Sequence, residues 1–178
     1  PRDWGCGHVG DFRNFFMENK SIEKFDLIDL LDKNLVLLGS SLENNQINVI
    51  KNFSSVEISG VKNELLQATM NIINNAKDVL LEKKEDNRYI LIDIYKDEKY
   101  AYLIIKDNGG GISEDIKSRI FEPYFSTKDK TVGTGIGLHM TREIIVNNMD
   151  AEIYVSNEKF IIDQTLHFGA CFKISFPL

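Results

Sequence analysis

Half of the chain's glycines lie in two short stretches whose backbones could closely approach a flat or phosphorylated ligand. The chain has 12 glycines, and six of them stand at positions 109, 110, 111, 133, 135 and 137. Only glycine lets main-chain atoms come so near to a bound molecule. Taken alone, each stretch could also be an ordinary surface turn. The clustering therefore favours a ligand site and leaves that simpler alternative open.

The second stretch leads directly into a predicted helix and reads Gly133, Thr134, Gly135, Ile136, Gly137, Leu138. A glycine-rich loop that opens a helix offers unpaired N–H groups and the positive end of the helix dipole to an anion. The Gly-Lys-Ser/Thr of a Walker loop is missing, and the spacing differs from the dinucleotide fingerprint. The stretch is therefore a candidate phosphate-binding loop of neither type.

The first stretch, Asp107-Asn108-Gly109-Gly110-Gly111-Ile112, follows a predicted strand. A carboxylate at position 107 could accept a hydrogen bond from an exocyclic amino group such as that of adenine. Guanine would instead present a carbonyl oxygen, so that two acceptors would face each other. A turn capped by the aspartate explains the same residues. The sequence leaves the choice between an adenine site and a capped turn open.

Asparagines on a predicted helix form a third candidate. Asn71 and Asn75 lie four positions apart, so both project from the same side of the helix. Asparagine is a mediocre helix former, and three of them within five residues lower helix stability without adding to the core. Ligation of Mg²⁺ by amide oxygens would account for them. A polar outer face in a chain rich in asparagine would also do so.

An aromatic segment lies between the two glycine stretches and reads IFEPYFSTK over residues 120–128. Phe121, Tyr124 and Phe125 are more aromatic residues than a solvated loop needs, so we expect some of them to pack against the ligand. Lys128 is a candidate phosphate contact, because its ammonium group is a mobile point charge. An ordinary surface lysine is the alternative for this position.

Hydrophobic periodicity predicts the elements that position these residues. Helices are predicted over 28–42, 62–84 and 135–148, and strands over 23–27, 46–53, 88–96, 100–106, 151–156 and 169–176. Residues 88–106 are expected to form a hairpin, and residues 107–133 a loop with one short helix at most. This order predicts an α+β fold of two layers, with a largely antiparallel sheet covered on one face by about three helices.

Length and composition exclude several classes of protein. The 178 residues fit one ordinary domain, and the net charge of −6 argues against a general nucleic-acid binder. Two cysteines, Cys6 and Cys171, are too few for a disulfide framework and favour a reducing compartment. No apolar run approaches the roughly 20 residues of a membrane span. We therefore expect a cytoplasmic domain without direct membrane contact, preceded by a loose tail over residues 1–10.

These motifs, in this order, resemble the ATP-binding catalytic domain of sensor histidine kinases. The wider superfamily includes gyrase, MutL and the large heat-shock chaperones. The matching segments are Asn71–Ala76 (N box), Asp107–Ile112 (first glycine box), Phe121–Phe125 (F box), Gly133–Leu138 (second glycine box) and Gly169–Pro177 (a degenerate last box). The resemblance covers roughly residues 60–178. The form FEPYFSTK is most similar to the nitrogen-regulatory subgroup of these kinases.

The resemblance implies a Bergerat-type two-layer α/β sandwich that binds ATP and Mg²⁺. Asp107 would bind the adenine amino group, with Gly109 and Gly111 along the base. Asn75, with help from Asn71, would hold Mg²⁺ against the phosphates. The other residues implied to contact ATP are Ile112, Tyr124, Phe125, Lys128, Gly133, Thr134, Gly135, Ile136, Gly137 and Leu138.

The resemblance also implies transfer of the γ-phosphate to a histidine rather than hydrolysis. ATP-hydrolysing relatives carry a glutamate as general base where this chain has Asn71, which cannot take a proton. Neither His8, His139 nor His167 stands in an acceptor box, so the acceptor is expected on a separate dimerisation hairpin. An ATP-hydrolysing or switch protein and a non-catalytic nucleotide-binding scaffold are the alternatives.

The resemblance also implies where one segment of the chain ends and the next begins. Residues 11–20 resemble the end of the helical hairpin that precedes such a domain, and residues 21–178 the catalytic domain itself. The partners implied are ATP, the histidine-bearing hairpin of the parent protein and a cognate response regulator. The parent could be anchored in a membrane by segments outside this sequence.

Overall fold

A computed structural model describes residues 21–83, 87–127 and 135–178. Its strands are β1 (Glu23–Asp26), β2 (Ile47–Phe53), β3 (Glu57–Gly60), β4 (Arg88–Lys96), β5 (Tyr100–Asp107), β6 (Glu152–Ile162) and β7 (Thr165–Pro177). Its α-helices are α1 (Leu27–Asn44), α2 (Lys62–Glu82), α3 (Glu114–Lys117) and α4 (Gly137–Glu143). Within these residues, none of the helices is long and apolar enough to cross a lipid bilayer.

Five of the strands form one mixed sheet in the order β2-β4-β5-β7-β6. β2 runs parallel to β4, and every other pairing in this sheet is antiparallel. β1 and β3 form a separate antiparallel pair beside it. The sheet is therefore mostly antiparallel, as predicted.

The core lies between the sheet and the helices. Along β5 the alternating residues Ala101, Leu103 and Ile105 are buried, as expected for a strand with one face against a helical layer. Helix α2 contributes fully buried side chains at three- and four-residue spacing: Leu65, Ala68, Thr69, Ile72, Ile73 and Leu80. The two-layer α+β architecture predicted from the sequence is confirmed.

Two strand features differ from the prediction. β3 is absent from the prediction, because it has only four residues and ends in glycine, a residue that is depleted in strands. β6 and β7 extend well beyond the predicted strands and form a long hairpin closed by Asp163 and Gln164, both at positive φ. Such a two-residue turn matches the twist of the strands. The polar residues of β6 hid its length, because an edge strand can expose polar side chains.

The predicted helix over 135–148 consists of an α-helix followed by a π-helical turn. It begins as α4 at Gly137 and continues over Ile144–Asn148 as a π-helix. The backbone N–H of Met149 donates to the carbonyl oxygen of Ile144 at 3.1 Å, which closes this wider turn. Ile144 and Ile145 are both buried. Hydrophobic spacing alone cannot distinguish an α-helix from one wide turn.

Candidate functional site

A cavity of about 500 Å³ opens between α2 and the loops that follow β5. Helix α2 and the residue after it supply one wall: Asn75, Ala76, Asp78, Val79, Glu82 and Lys83. Its floor is formed by Asp107, at the end of β5, and by Ala170 and Phe172, on β7. The remaining lining residues are 111–113, 116, 120, 125–127, 135, 137 and 138. The cavity thus lies where the sequence motifs predicted a site.

Asp107 is a buried carboxylate at the floor of this cavity, with only 4% of its surface exposed. Its Oδ1 accepts hydrogen bonds from the backbone N–H groups of Gly109 at 2.8 Å and Ala170 at 3.4 Å. Burial raises the pKa of this carboxyl group above its ordinary value, while these two bonds and the charge of Lys83 act in the opposite direction. The structure therefore holds a carboxylate in a fixed orientation inside a poorly solvated pocket.

Asn108 has a structural function that the sequence did not reveal. Its Oδ1 accepts from the backbone N–H of Tyr89 at 2.8 Å, and its Nδ2 donates to the carbonyl oxygen of Asn87 at 2.7 Å. Nδ1 of His167, on β7, lies 3.4 Å from the same Nδ2. These contacts fix the residue next to Asp107 to the start of β4. The end of β5 is thereby held in place.

The β6–β7 hairpin holds the first glycine stretch. The backbone N–H of Ile112 donates to Oδ1 of Asn157 at 2.8 Å, and Nδ2 of Asn157 donates to the carbonyl oxygen of Ile112 at 2.7 Å. The N–H of Gly110 donates to the carbonyl oxygen of Phe168 at 3.0 Å. Sequence reasoning missed Asn157, whose partner lies 45 positions away.

The two asparagines of α2 have different surroundings. Asn75 lines the cavity, together with the carboxylates of Asp78 and Glu82 on the same helix. Asn71 does not belong to the cavity lining, and its Nδ2 donates to the carbonyl oxygen of Gly137 at 3.2 Å. The four-residue spacing therefore places one amide at the cavity and the other against the start of α4.

Among the three aromatic residues of the aromatic segment, Phe125 lines the cavity. The guanidinium carbon of Arg119 lies 4.5 Å from the centre of the Phe125 ring. Gly135 has a φ of +65°, and a Cβ there would lie 2.5 Å from the backbone carbon of Tyr124. Any other residue at 135 would therefore be strained and crowded. Tyr124 itself is 78% exposed.

The structure brings together most of the predicted site residues that it describes. Those that line the cavity are Asn75, Asp107, Gly111, Ile112, Phe125, Gly135, Gly137 and Leu138. Those outside its lining are Asn71, Gly109, Tyr124 and Ile136. Lys128, Gly133 and Thr134 lie outside the described residues, as do the tail over 1–10 and the segment 11–20.

The donor set of the cavity suits a small hard cation. The amide of Asn75 and the carboxylates of Asp78 and Glu82 are oxygen ligands of the kind that Mg²⁺ prefers. The part of the chain that the structure describes contains no cluster of three acidic, histidine or cysteine side chains able to enclose a metal. Mg²⁺ commonly binds through one or two protein oxygens plus phosphate and water, so the residues present fit such a cation.

Solved structures with the same fold come from histidine kinases. The catalytic domain of histidine kinase ThkA superposes with a TM-score of 0.72 and 23% identity, covering 88% of this chain and 95% of that one. The mycobacterial sensor histidine kinase MprB gives a TM-score of 0.71 and 19% identity, covering 88% of this chain and 97% of that one. At these identities the likeness shows the fold.

Sequence relatives include Sporulation kinase A of Bacillus subtilis (strain 168), which is 33% identical over 162 residues. The two-component sensor PprA of Pseudomonas aeruginosa is 31% identical over 159 residues. These matches cover 90% and 86% of this chain but only 24% and 16% of the relatives, so the chain spans a quarter of their length or less. Residues 60–178 match the family model HATPase_c. The chain therefore belongs to the histidine kinase-, DNA gyrase B- and HSP90-like ATPase family.

Proposed function

We propose that this domain binds MgATP and donates the γ-phosphate to a histidine on a separate dimerisation hairpin, as the catalytic domain of a two-component sensor kinase. The observation that carries the proposal is the buried carboxylate of Asp107 at the floor of a cavity of about 500 Å³. Asn75 and three glycine positions of the two glycine stretches line the same cavity. This volume is within the range of small-molecule sites.

Asp107 would select adenine. Both donors that the described residues supply to its carboxylate bind Oδ1, which leaves Oδ2 for the amino group of the base. A carboxylate that accepts from an amino group repels the carbonyl oxygen of guanine at the same place. Ile112, Ala170 and Phe172 would provide apolar contact for the ring, and Gly111 would let its backbone approach the base.

Asn75 would hold Mg²⁺ through its amide oxygen, on the α2 side of the cavity. When bound, the cation supplies charge neutralisation to the phosphates and aligns the γ-phosphate for an in-line attack. Gly135, Gly137 and Leu138 lie in the same cavity and would border the phosphates. Gly133 and Thr134 of the second glycine stretch, and Lys128 at the end of the aromatic segment, are proposed to complete the phosphate contacts. Alignment and electrostatic stabilisation would supply most of the catalysis.

Relatives support the partners that we propose. ShkA, with a TM-score of 0.68, was solved in complex with AMPPNP, and ThkA, with a TM-score of 0.67, in complex with response regulator TrrA. We infer by analogy that a response regulator takes the phosphate from the hairpin histidine of the parent protein. The cytoplasm, where ATP is available, is the compartment that this function requires.

Phosphotransfer is the direct test. The purified chain is incubated with ATP labelled at the γ-phosphate and a separately expressed dimerisation hairpin from the parent or from a related sporulation kinase. We expect acid-labile, base-stable label on the hairpin, and none on a hairpin whose histidine is replaced by alanine. Steady release of phosphate without labelled hairpin would instead support the hydrolase alternative. Binding with neither product would support a non-catalytic scaffold.

A further inference from the structure

Asn71 occupies a defined hydrogen-bonding site between α2 and α4. Its Nδ2 lies 3.2 Å from the carbonyl oxygen of Gly137 and 3.4 Å from Oγ1 of Thr141. Thr141 is fully buried, and its hydroxyl group donates toward the carbonyl oxygens of Gly137 at 2.9 Å and Ala68 at 3.4 Å. A small network therefore joins the middle of α2 to the first turn of α4.

The direction of these hydrogen bonds requires a donor at position 71. The carbonyl oxygen of Gly137 can only accept, and the single hydroxyl proton of Thr141 is directed to carbonyl oxygens. Both groups therefore face Asn71 as acceptors. An asparagine amide supplies the required N–H, whereas an ionised aspartate or glutamate supplies none and would place negative charge against a carbonyl oxygen.

Gly137, whose carbonyl oxygen accepts from Asn71, is part of the lining of the candidate nucleotide cavity. Gly137 is the first residue of α4 and lines the cavity beside Leu138, while Asn71 does not. We propose that Asn71 is a positioning residue that anchors the start of α4 to α2 and thereby sets the phosphate side of the nucleotide site, and that it is not a direct ligand of Mg²⁺. This inference rests on the proposed function, and it replaces the expectation that Asn71 helps Asn75 to bind Mg²⁺.

An aspartate at position 71 distinguishes a residue that anchors α4 from a residue that ligates Mg²⁺. Asn71→Asp keeps the size and adds a better Mg²⁺ ligand, but it removes the donor. We expect Asn71→Asp and Asn71→Ala each to weaken MgATP binding about five- to tenfold, the cost of one lost hydrogen bond. The same factor should appear for ATP without Mg²⁺, and adenosine should bind as in the unchanged chain. Asn74→Asp, on the same helix and outside the cavity lining, is the matched control.

Amide hydrogen exchange on the nucleotide-free chain tests the anchor independently of any ligand. We expect Asn71→Asp to accelerate exchange over residues 137–143, with little change in β4 and β5, and Asn74→Asp to leave these rates unchanged. Unchanged exchange over 137–143 would overturn the anchor, as would an Asn71→Asp chain that binds MgATP as tightly as before. Failure of the unchanged chain to bind any nucleotide would contradict the proposed function and not the anchor, which exchange alone would still decide.

Discussion

Gly169 of β7 lies directly against the backbone of Asp107 at the end of β5. A Cβ on residue 169 would stand 1.7 Å from the carbonyl oxygen of Asp107 and 3.0 Å from the Cα of Asn108. No flexible side chain can move aside, because both neighbours are backbone atoms. The two strands thus approach as closely as their main chains permit, at the place where the candidate base-binding carboxylate is held.

Replacement of this glycine should be severe. We expect Gly169→Ala to lower the free energy of unfolding by about 2 kcal/mol or more, since the added methyl group forces the strands apart. Urea unfolding measures the change. Gly39→Ala in α1 is the matched control: its Cβ meets nothing within 4 Å, and alanine should raise helix stability by about 0.5–1 kcal/mol. Equal effects of the two substitutions would refute the close approach.

The Asp107 carboxylate should determine base recognition. Asp107→Asn exchanges an ionised acceptor for a neutral amide, so we expect ATP affinity to fall at least about tenfold, the usual effect of losing a charged hydrogen bond. Isothermal titration calorimetry gives the affinity. Asp93→Asn on β4, outside the cavity lining, makes the same chemical change and should leave the affinity unaltered. Unchanged ATP binding by Asp107→Asn would remove this residue from the base site.

The same substitution should stabilise the nucleotide-free chain at neutral pH. Burial raises the pKa of Asp107 above its ordinary value of 3.8, so the folded protein binds the proton more readily than the unfolded chain. The ionised group therefore lowers stability, and this cost is absent below the unfolded pKa and complete above the folded pKa. We expect Asp107→Asn to unfold at higher urea concentration than the unchanged chain at about pH 7, with a smaller difference near about pH 4.

A constant difference at the two pH values would contradict this assignment of the pKa direction. Taken with the expected loss of ATP affinity, a gain in stability would show that the buried carboxylate lowers the stability of the fold while it favours nucleotide binding. A destabilised Asp107→Asn chain would indicate instead that the bonds from Gly109 and Ala170 outweigh the cost of burial.

Asn75 should act through the metal. We expect Asn75→Ala to weaken binding of MgATP by about tenfold and binding of ATP in chelator by much less, because only the first complex uses the amide oxygen. Titrations with and without Mg²⁺ give the two factors. Asn74→Ala serves as the control on the same helix. Equal losses with and without Mg²⁺ would argue against metal ligation by Asn75.

The sequence predicted the fold class, and it singled out several residues that line the cavity, because both leave local signals. Hydrophobic spacing marks α2, and glycines next to a carboxylate mark the loop after β5. Asn157 leaves no such signal, because its significance depends on a partner 45 positions away that only the folded sheet brings near. For the same reason the sequence could pair Asn71 with Asn75 by helical spacing but could not show that Asn71 turns toward Gly137.

A calorimetric titration of the purified chain measures whether the cavity around Asp107 is an ATP site. MgATP is titrated into the chain, with MgGTP as the control for the base. We predict a dissociation constant in roughly the micromolar range for ATP, near −8 kcal/mol, and no measurable heat of binding for GTP. Absence of ATP binding, or equal binding of GTP, would contradict an ATP site built around Asp107.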